Sequence, residues 1–93
     1  MAYRIEIKPR ARRQSKHLPA AAAAAIDAAI GRFAVEPRPA GCKRVQGLPD
    51  GLRVRVGDYR IIYVVDDHIR VVHVLRIAWR DKAYKRRRDL RGE

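Results

Sequence analysis

Apolar positions recur with two different periods along this chain, and each period predicts one kind of element. Every second residue from Tyr3 to Ile7 is apolar, which predicts a β-strand that ends at Pro9. A short basic segment, Arg10 to Leu18, follows with helical spacing. A run of six alanines with high helix propensity then leads into a stripe of apolar residues spaced by three and four, namely Ile26, Ile30 and Phe33. The first third therefore predicts one strand and two helices.

From Cys42 onward the period of two returns and predicts strands only. We expect a short strand around Lys43 to Gln46, a turn at the sequence GLPDG, a hairpin between Leu52 and Val65, and a strand from Ile69 to Ile77. The charged segment from Trp79 to Arg91 is expected to form a short basic helix near its middle. The prediction is one α+β domain over residues 1–93, with an N-terminal strand, two helices and a mostly antiparallel β-meander.

The hairpin sequence LRVRVGDYRIIYVV concentrates arginines on one face of this sheet. Gly57 and Asp58 form a two-residue turn, which places Arg55 opposite Arg60. Side chains alternate between the two faces of a sheet, so the arginines, Arg53 among them, share one face. The other face is predicted to be the core, with Val54, Val56, Tyr59, Ile61, Tyr63 and Val65. Like charges directly opposite one another destabilise a sheet, so this arrangement favours an anion site, with a solvated surface as the simpler alternative.

A three-residue loop, Asp66 to His68, is expected to set the next strand with Val65 opposite Ile69. This register puts Arg76 on the same face as the arginines of the hairpin, diagonal to Arg60, together with Arg70, Val72 and Val74. It puts the alternate residues on the core face: Ile69, Val71, His73, Leu75 and Ile77.

The charge of the chain supports a polyanionic partner. Lys and Arg number 22 against 10 acidic residues, a net charge of +12, and 17 of the basic residues are arginine, whose planar fork matches phosphate oxygens. The one cysteine, Cys42, excludes a disulfide within the chain, and no metal site or cofactor is predicted. No apolar run reaches the ~20 residues that span a bilayer, and we expect a cytoplasmic protein that does not contact membranes.

The chain resembles the RelE/ParE superfamily of bacterial toxins, and specifically the RelE-type mRNA interferases. The resemblance rests on the opening YRIEIKPRARRQSKHLP, the middle PRPAGCKRVQGLPDGLRVRVGDYRIIYVVDD and the ending VLRIAWRDKAY. It implies a fold like that of microbial ribonucleases, ribosome-dependent cleavage of mRNA in the A site, and a RelB-like antitoxin as partner. The ParE branch, which inhibits DNA gyrase, and a non-catalytic RNA- or ribosome-binding module are the alternatives.

The resemblance also implies the site residues. Arg55, Arg60, Arg80 and Tyr84 fall on the catalytic positions, and we expect a further set to bind RNA: Arg53, Arg76, Trp79, Lys82, Lys85, Arg86 and Arg87. Some members have lysine where this chain has Arg53 and Arg55, and many have histidine near Trp79. An indole cannot transfer the proton that imidazole could, although it can stack on a base.

Cleavage without metal would use the ribose 2′-hydroxyl as nucleophile and leave a 2′,3′-cyclic phosphate. Arginines would stabilise the charge that develops on the phosphate, and Tyr84 would move a proton. His17, His68 and His73 are predicted to be structural, so the chain lacks the usual pair of general acid and base. Such a shortage fits an enzyme that relies on the ribosome to orient its mRNA.

Overall fold

The computed structural model describes residues 2–79, and these residues form two helices and five strands. In chain order the elements are β1 (Arg4–Ile7), α1 (Pro9–Ser15), α2 (Ala20–Arg32), β2 (Lys43–Arg44), β3 (Gly51–Val56), β4 (Tyr59–Asp66) and β5 (Val71–Trp79). The predicted C-terminal basic helix lies outside the described residues.

The strands form a single sheet in the order β1-β5-β4-β3-β2. Strand β1 pairs parallel with β5, whereas β2 to β5 pair antiparallel with their neighbours in sequence. The predicted α+β class, with a strand and two helices before an antiparallel meander, is confirmed. The parallel pairing makes the sheet mixed. A parallel pair needs a long connection between its strands, and here that connection includes both helices.

The hydrophobic core lies between the two helices and one face of the sheet. Helix α2 contributes the predicted stripe, in which Ile26 is fully buried, and Phe33 stacks on Tyr63 of β4 with 4.2 Å between ring centroids. The Tyr63 hydroxyl donates a 2.8 Å hydrogen bond to the Pro37 carbonyl. Burial raises the pKa of Tyr63 far above its ordinary value of 10.0.

The predicted register of β5 is wrong, because the loop before it holds four residues and not three. Asp66 pairs with Val71, and the Asp66 carboxylate accepts the N–H groups of His68 and Ile69, which closes the turn. Arg70 completes the turn with a φ of 56°. Consequently Val72 and Val74 are fully buried in the core, whereas Ile69, expected in the core, is 61% exposed.

A β-bulge at Leu75 corrects the alternation in the second half of β5. The pairing shifts between Tyr63↔Val74 and Ile62↔Arg76, so Leu75 is the extra residue on its strand. Beyond the bulge Ile77 is buried in the core, and Arg76 lies on the opposite face diagonal to Arg60, as expected. The longer loop and the bulge each move the side chains of β5 to the face opposite the predicted one. After both, Arg76 and Ile77 lie on the faces that the sequence predicted.

Helix α1 takes the place of a neighbouring strand along the end of β5. Strand β1 stops opposite Val74, so the edge of β5 beyond that point has no strand beside it. There the Ile77 N–H donates a 2.7 Å hydrogen bond to the side-chain oxygen of Gln14, and Ala11 of the same helix is fully buried. Gln14 therefore satisfies a backbone donor and fixes the segment of β5 that carries Arg76.

Candidate nucleic-acid interface

Cationic side chains occupy two adjacent rows on the sheet face that the helices leave uncovered. Successive pairings place four residues side by side across β2, β3, β4 and β5, namely Lys43, Arg53, Ile62 and Arg76. The neighbouring row holds Arg55, Arg60 and Ala78. We call the five cations of these rows the arginine face; neighbouring strands are about 4.8 Å apart, so their head groups converge on one area.

The hairpin turn produces this convergence. Gly57 has a φ of 59° and Asp58 has a negative φ, as in a type II′ turn with glycine at its first central position. A two-residue turn fixes the register, and Arg55 lies directly opposite Arg60 as predicted. Since the twist of such a turn matches the twist of the strands, the register is set by local sequence and not by distant contacts.

A cleft of ≈ 200 Å³ opens between the edge of the sheet and the hairpin. It is lined by Gly41, Lys43, Arg53, Val54, Arg55 and Arg60. Arg53 and Arg60 are half-buried, while Arg55 is exposed. Partly buried guanidinium groups interact more strongly with an anion than fully solvated ones, because the local dielectric is lower. The cleft is suited to a phosphate group or to a short stretch of phosphodiester chain.

The structure brings four of the predicted site residues together, Arg53, Arg55, Arg60 and Arg76, and it adds Lys43. The sequence did not predict Lys43 as a site residue, because the turn after β2 is too long to fix which residue of β3 lies opposite it. Trp79 is not brought to this face: it pairs with Tyr59, whose side chain packs against the core, and it is 42% exposed. The other predicted residues lie outside the described residues: Arg80, Lys82, Tyr84, Lys85, Arg86 and Arg87.

His73 was predicted on the core face, and this prediction is wrong because of the four-residue loop. It lies on the same face as Arg76, and its Nδ1 is 3.5 Å from a carboxylate oxygen of Glu6 on β1. Hydrogen bonds from Arg4, and then from Lys8, outweigh desolvation and lower the pKa of Glu6. The arginine face therefore continues, toward β1, into a group of compensated charges.

Comparison with known proteins identifies the family. The family described as "ParE toxin of type II toxin-antitoxin system, parDE" matches residues 5–84. The chain belongs to this family. It is also 31% identical over 88 residues to the RelE1 protein of Methanocaldococcus jannaschii, with 91% of this chain and 98% of the relative covered. The expected membership of the RelE/ParE superfamily is confirmed, and the protein is the toxin of a type II toxin–antitoxin system.

Two solved complexes show the same fold as this toxin. The toxin–antitoxin complex RelBE2 from Mycobacterium tuberculosis matches with a TM-score of 0.73 and 29% identity, covering 86% of this chain and 100% of that chain. The archaeal RelE–RelB complex from Pyrococcus horikoshii OT3 matches with a TM-score of 0.76 and 28% identity, covering 86% and 97%. In both structures the chain similar to this toxin was solved in a complex with an antitoxin.

At the end of the toxin's sheet where β4 meets β5, a network of side chains joins three segments. Asp67 accepts a 2.7 Å hydrogen bond from the Tyr3 hydroxyl and two from the Arg38 guanidinium, at 2.9 and 3.3 Å. The hydrogen bonds from Arg38 have the largest effect on the pKa of Asp67, which they lower, and the bond from Tyr3 lowers it further. The network ties the loop after α2 and the β4–β5 turn to the start of β1.

The described part of the toxin contains neither a candidate metal site nor a helix that could span a membrane. Within residues 2–79, no group of three or more His, Cys, Asp or Glu side chains is placed to hold a metal ion. Neither α1 nor α2 is long and apolar enough to cross a membrane.

Proposed function

We propose that this toxin is a metal-independent endoribonuclease that cleaves mRNA in the ribosomal A site and so stops translation. The observation that carries the proposal is the arginine face, where four of the five cations line one cleft although Arg55 and Arg60 repel each other across the hairpin. A bound phosphodiester would offset this repulsion, because its negative charge would lie between the two guanidinium groups. Because translating ribosomes are its proposed target, we place the activity in the cytoplasm.

In the proposed reaction the 2′-hydroxyl of the mRNA attacks the adjacent phosphorus, and the bond to the 5′-oxygen of the next nucleotide breaks. Arg55, Arg60 and Arg80 would donate to the phosphate oxygens as negative charge develops, and Tyr84 would take part in proton transfer. Arg53 and Arg76, with Lys43 beside them, would hold the flanking phosphates. His73 offers an imidazole on the same face, but its carboxylate partner Glu6 favours a structural role.

A cognate RelB-like antitoxin is the second proposed partner. The solved complexes from Mycobacterium tuberculosis and Pyrococcus horikoshii support it, because their toxin-like chains were found with antitoxins. A net charge of +12 favours an antitoxin segment with acidic residues that covers the arginine face. The affinity of such a complex should fall with salt, since exposed charge pairs are screened over ~10 Å at 0.1 M.

The test of the proposed chemistry is single-turnover cleavage of mRNA in the A site of saturating ribosomes. Removing one donor at developing charge typically lowers the rate by about 10²–10³, so Arg60→Ala should cleave that much more slowly. Arg60→Lys should recover little of the rate, because lysine keeps the charge but loses the planar fork. Arg32→Ala, an exposed arginine at the end of α2, is the matched control and should cleave normally. Wild-type rates in Arg60→Ala would show that the arginine face is not the catalytic site.

Inhibition of DNA gyrase is the second candidate, because the matching family is described by its ParE toxin. The two activities stop different syntheses in the cell. After induction of the toxin, mRNA cleavage should lower methionine incorporation before thymidine incorporation, whereas gyrase inhibition should reverse the order.

A further inference from the structure

The row of cations that runs from Lys43 to Arg76 continues beyond β5 to β1, at the edge of the sheet. Strand β1 pairs with β5 as far as Val74. The next residue of the chain, Lys8, donates its backbone N–H to the Val74 carbonyl at 2.9 Å, so it lies beside the segment of β5 that ends at Arg76. The row therefore has five positions, four of them cationic, and Lys8 is its end.

The Lys8 side chain lies on the same face of the sheet as these arginines. Its ammonium nitrogen is 3.5 Å from a carboxylate oxygen of Glu6, and the same oxygen is 3.5 Å from Nδ1 of His73, which shares the face of Arg76. The helices leave this face uncovered, and the Lys8 side chain is 42% exposed. A ligand bound in the cleft could therefore reach Lys8 without crossing the sheet.

The ion pair with Glu6 does not account for a lysine at this position. The pair is long, both side chains are partly exposed, and such pairs contribute little to stability. Glu6 also has a shorter contact, 3.3 Å, with Arg4. In addition, Lys8 is the N-cap of α1, a position that favours Ser, Thr, Asp or Asn, and its side chain makes no capping bond. Lys8 can thus exchange its carboxylate contact for a phosphate at small cost to the fold.

The row crosses the strands and spans the width of the sheet. Its five positions are separated by four intervals of ~4.8 Å, so its ends are ~19 Å apart. A single phosphate can contact only neighbouring positions of such a row. A stacked single strand advances ~3.4 Å per nucleotide and would need about five or six nucleotides to follow the row, and an extended strand would need fewer. Between the cations, the half-buried Ile62 offers an apolar contact for a base.

We propose that single-stranded RNA crosses the strands along this row and that Lys8 is its outermost phosphate contact. The bond to be cleaved would lie in the cleft, between Arg55 and Arg60. From there the strand would pass Arg76 and reach Lys8. A line of basic side chains that follows the backbone holds a single strand without reading its sequence. This inference rests on the proposed function, because it takes mRNA as the substrate of the cleft.

The experiment measures how the affinity of the full-length toxin depends on the length of an RNA probe. The probes are 2′-O-methyl oligouridylates of two and six nucleotides, which lack the nucleophilic hydroxyl and cannot be cleaved. Lys8→Gln removes the end of the row, and Lys8→Arg keeps its charge. Arg4→Gln is the matched control, because Arg4 lies on the same strand and also contacts Glu6 but is not part of the row. Binding is measured by competition with a fluorescently labelled six-nucleotide probe.

Lys8→Gln should bind the six-nucleotide probe about fivefold more weakly than wild type at 0.1 M salt. The slope of log K against log salt should fall by about 0.7, which is the value for one phosphate of a single strand. The two-nucleotide probe cannot extend from the cleft to Lys8 and should bind Lys8→Gln and wild type equally. Lys8→Arg and Arg4→Gln should bind both probes as wild type does.

The outcomes separate this inference from the proposed function. If Lys8→Gln binds the six-nucleotide probe as tightly as wild type, or if Arg4→Gln is weakened as much, the inference is overturned, and cleavage of mRNA by the wild type still supports the proposed function. Equal binding of both probes by the wild type also overturns the inference. If Lys8→Gln alone is weakened but the wild type cleaves no mRNA on ribosomes, the inference stands and the proposed chemistry fails.

Discussion

Neutralising Arg55 should make the toxin more stable and less active at the same time. Arg55 and Arg60 are directly opposite on β3 and β4. Like charges in this position destabilise a sheet by about 0.2–1 kcal/mol, and two charges ~7 Å apart in water repel by about 0.6 kcal/mol, which falls in the same range. For a domain of this size, Arg55→Gln should therefore raise the melting temperature by about 2–5 °C.

The assay is thermal unfolding followed by circular dichroism at low and high salt. The gain should shrink toward 1 M salt, where the screening length is only ~3 Å. Arg44→Gln is the matched control, because Arg44 is also an exposed strand residue but faces Leu52 and not a cation. If Arg55→Gln is no more stable than Arg44→Gln, or if its gain does not depend on salt, the two guanidiniums do not oppose folding. The charges of the arginine face would then give no reason to assign it a binding function.

Substitutions at three further positions test side-chain hydrogen bonds of the described residues. Gln14→Leu should destabilise the fold by about 1–3 kcal/mol, because it leaves the Ile77 N–H without its acceptor, whereas Gln14→Glu should restore most of the loss; chemical denaturation measures both. Tyr63→Phe should cost about 1 kcal/mol through the lost bond to the Pro37 carbonyl, with the fold unchanged in its circular dichroism spectrum. The pKa of Asp67 is lowered in the folded state. The Asp67 carboxylate therefore stabilises the fold above its ordinary pKa of 3.8, and this stabilisation is lost as the pH falls below that value. Asp67→Asn should be less stable than wild type at pH 7, and it should lose less stability than wild type between pH 7 and pH 3.

The sequence predicted those parts of the fold and site that depend on neighbouring residues. The turn at Gly57 alone determines which residues of β3 and β4 are opposite, so Arg53, Arg55 and Arg60 could be assigned to one face without a structure. The buried stripe of α2 was equally local, because helical spacing alone brings Ile26 and Ile30 to one side.

The rest depended on hydrogen bonds and pairings that the sequence does not display. The Asp66 carboxylate closes a longer turn than expected, and this shifted His73 to the other face. The bulge at Leu75 has no marker such as glycine in its sequence. The parallel pairing of β1 with β5 and the alignment of Lys43 with Arg53 join segments whose connections are too long to fix a register.

The parallel pairing of β1 with β5 has a consequence for how the toxin is made. Strand β1 is synthesised before every other described element and β5 after them, so the sheet stays incomplete until translation has passed Trp79. Arg76 cannot join Arg60 before that point, and pairing of strands so distant in sequence is intrinsically slow. The order of the strands would therefore delay assembly of the arginine face until β5 has been made, which gives a co-translated antitoxin time to bind.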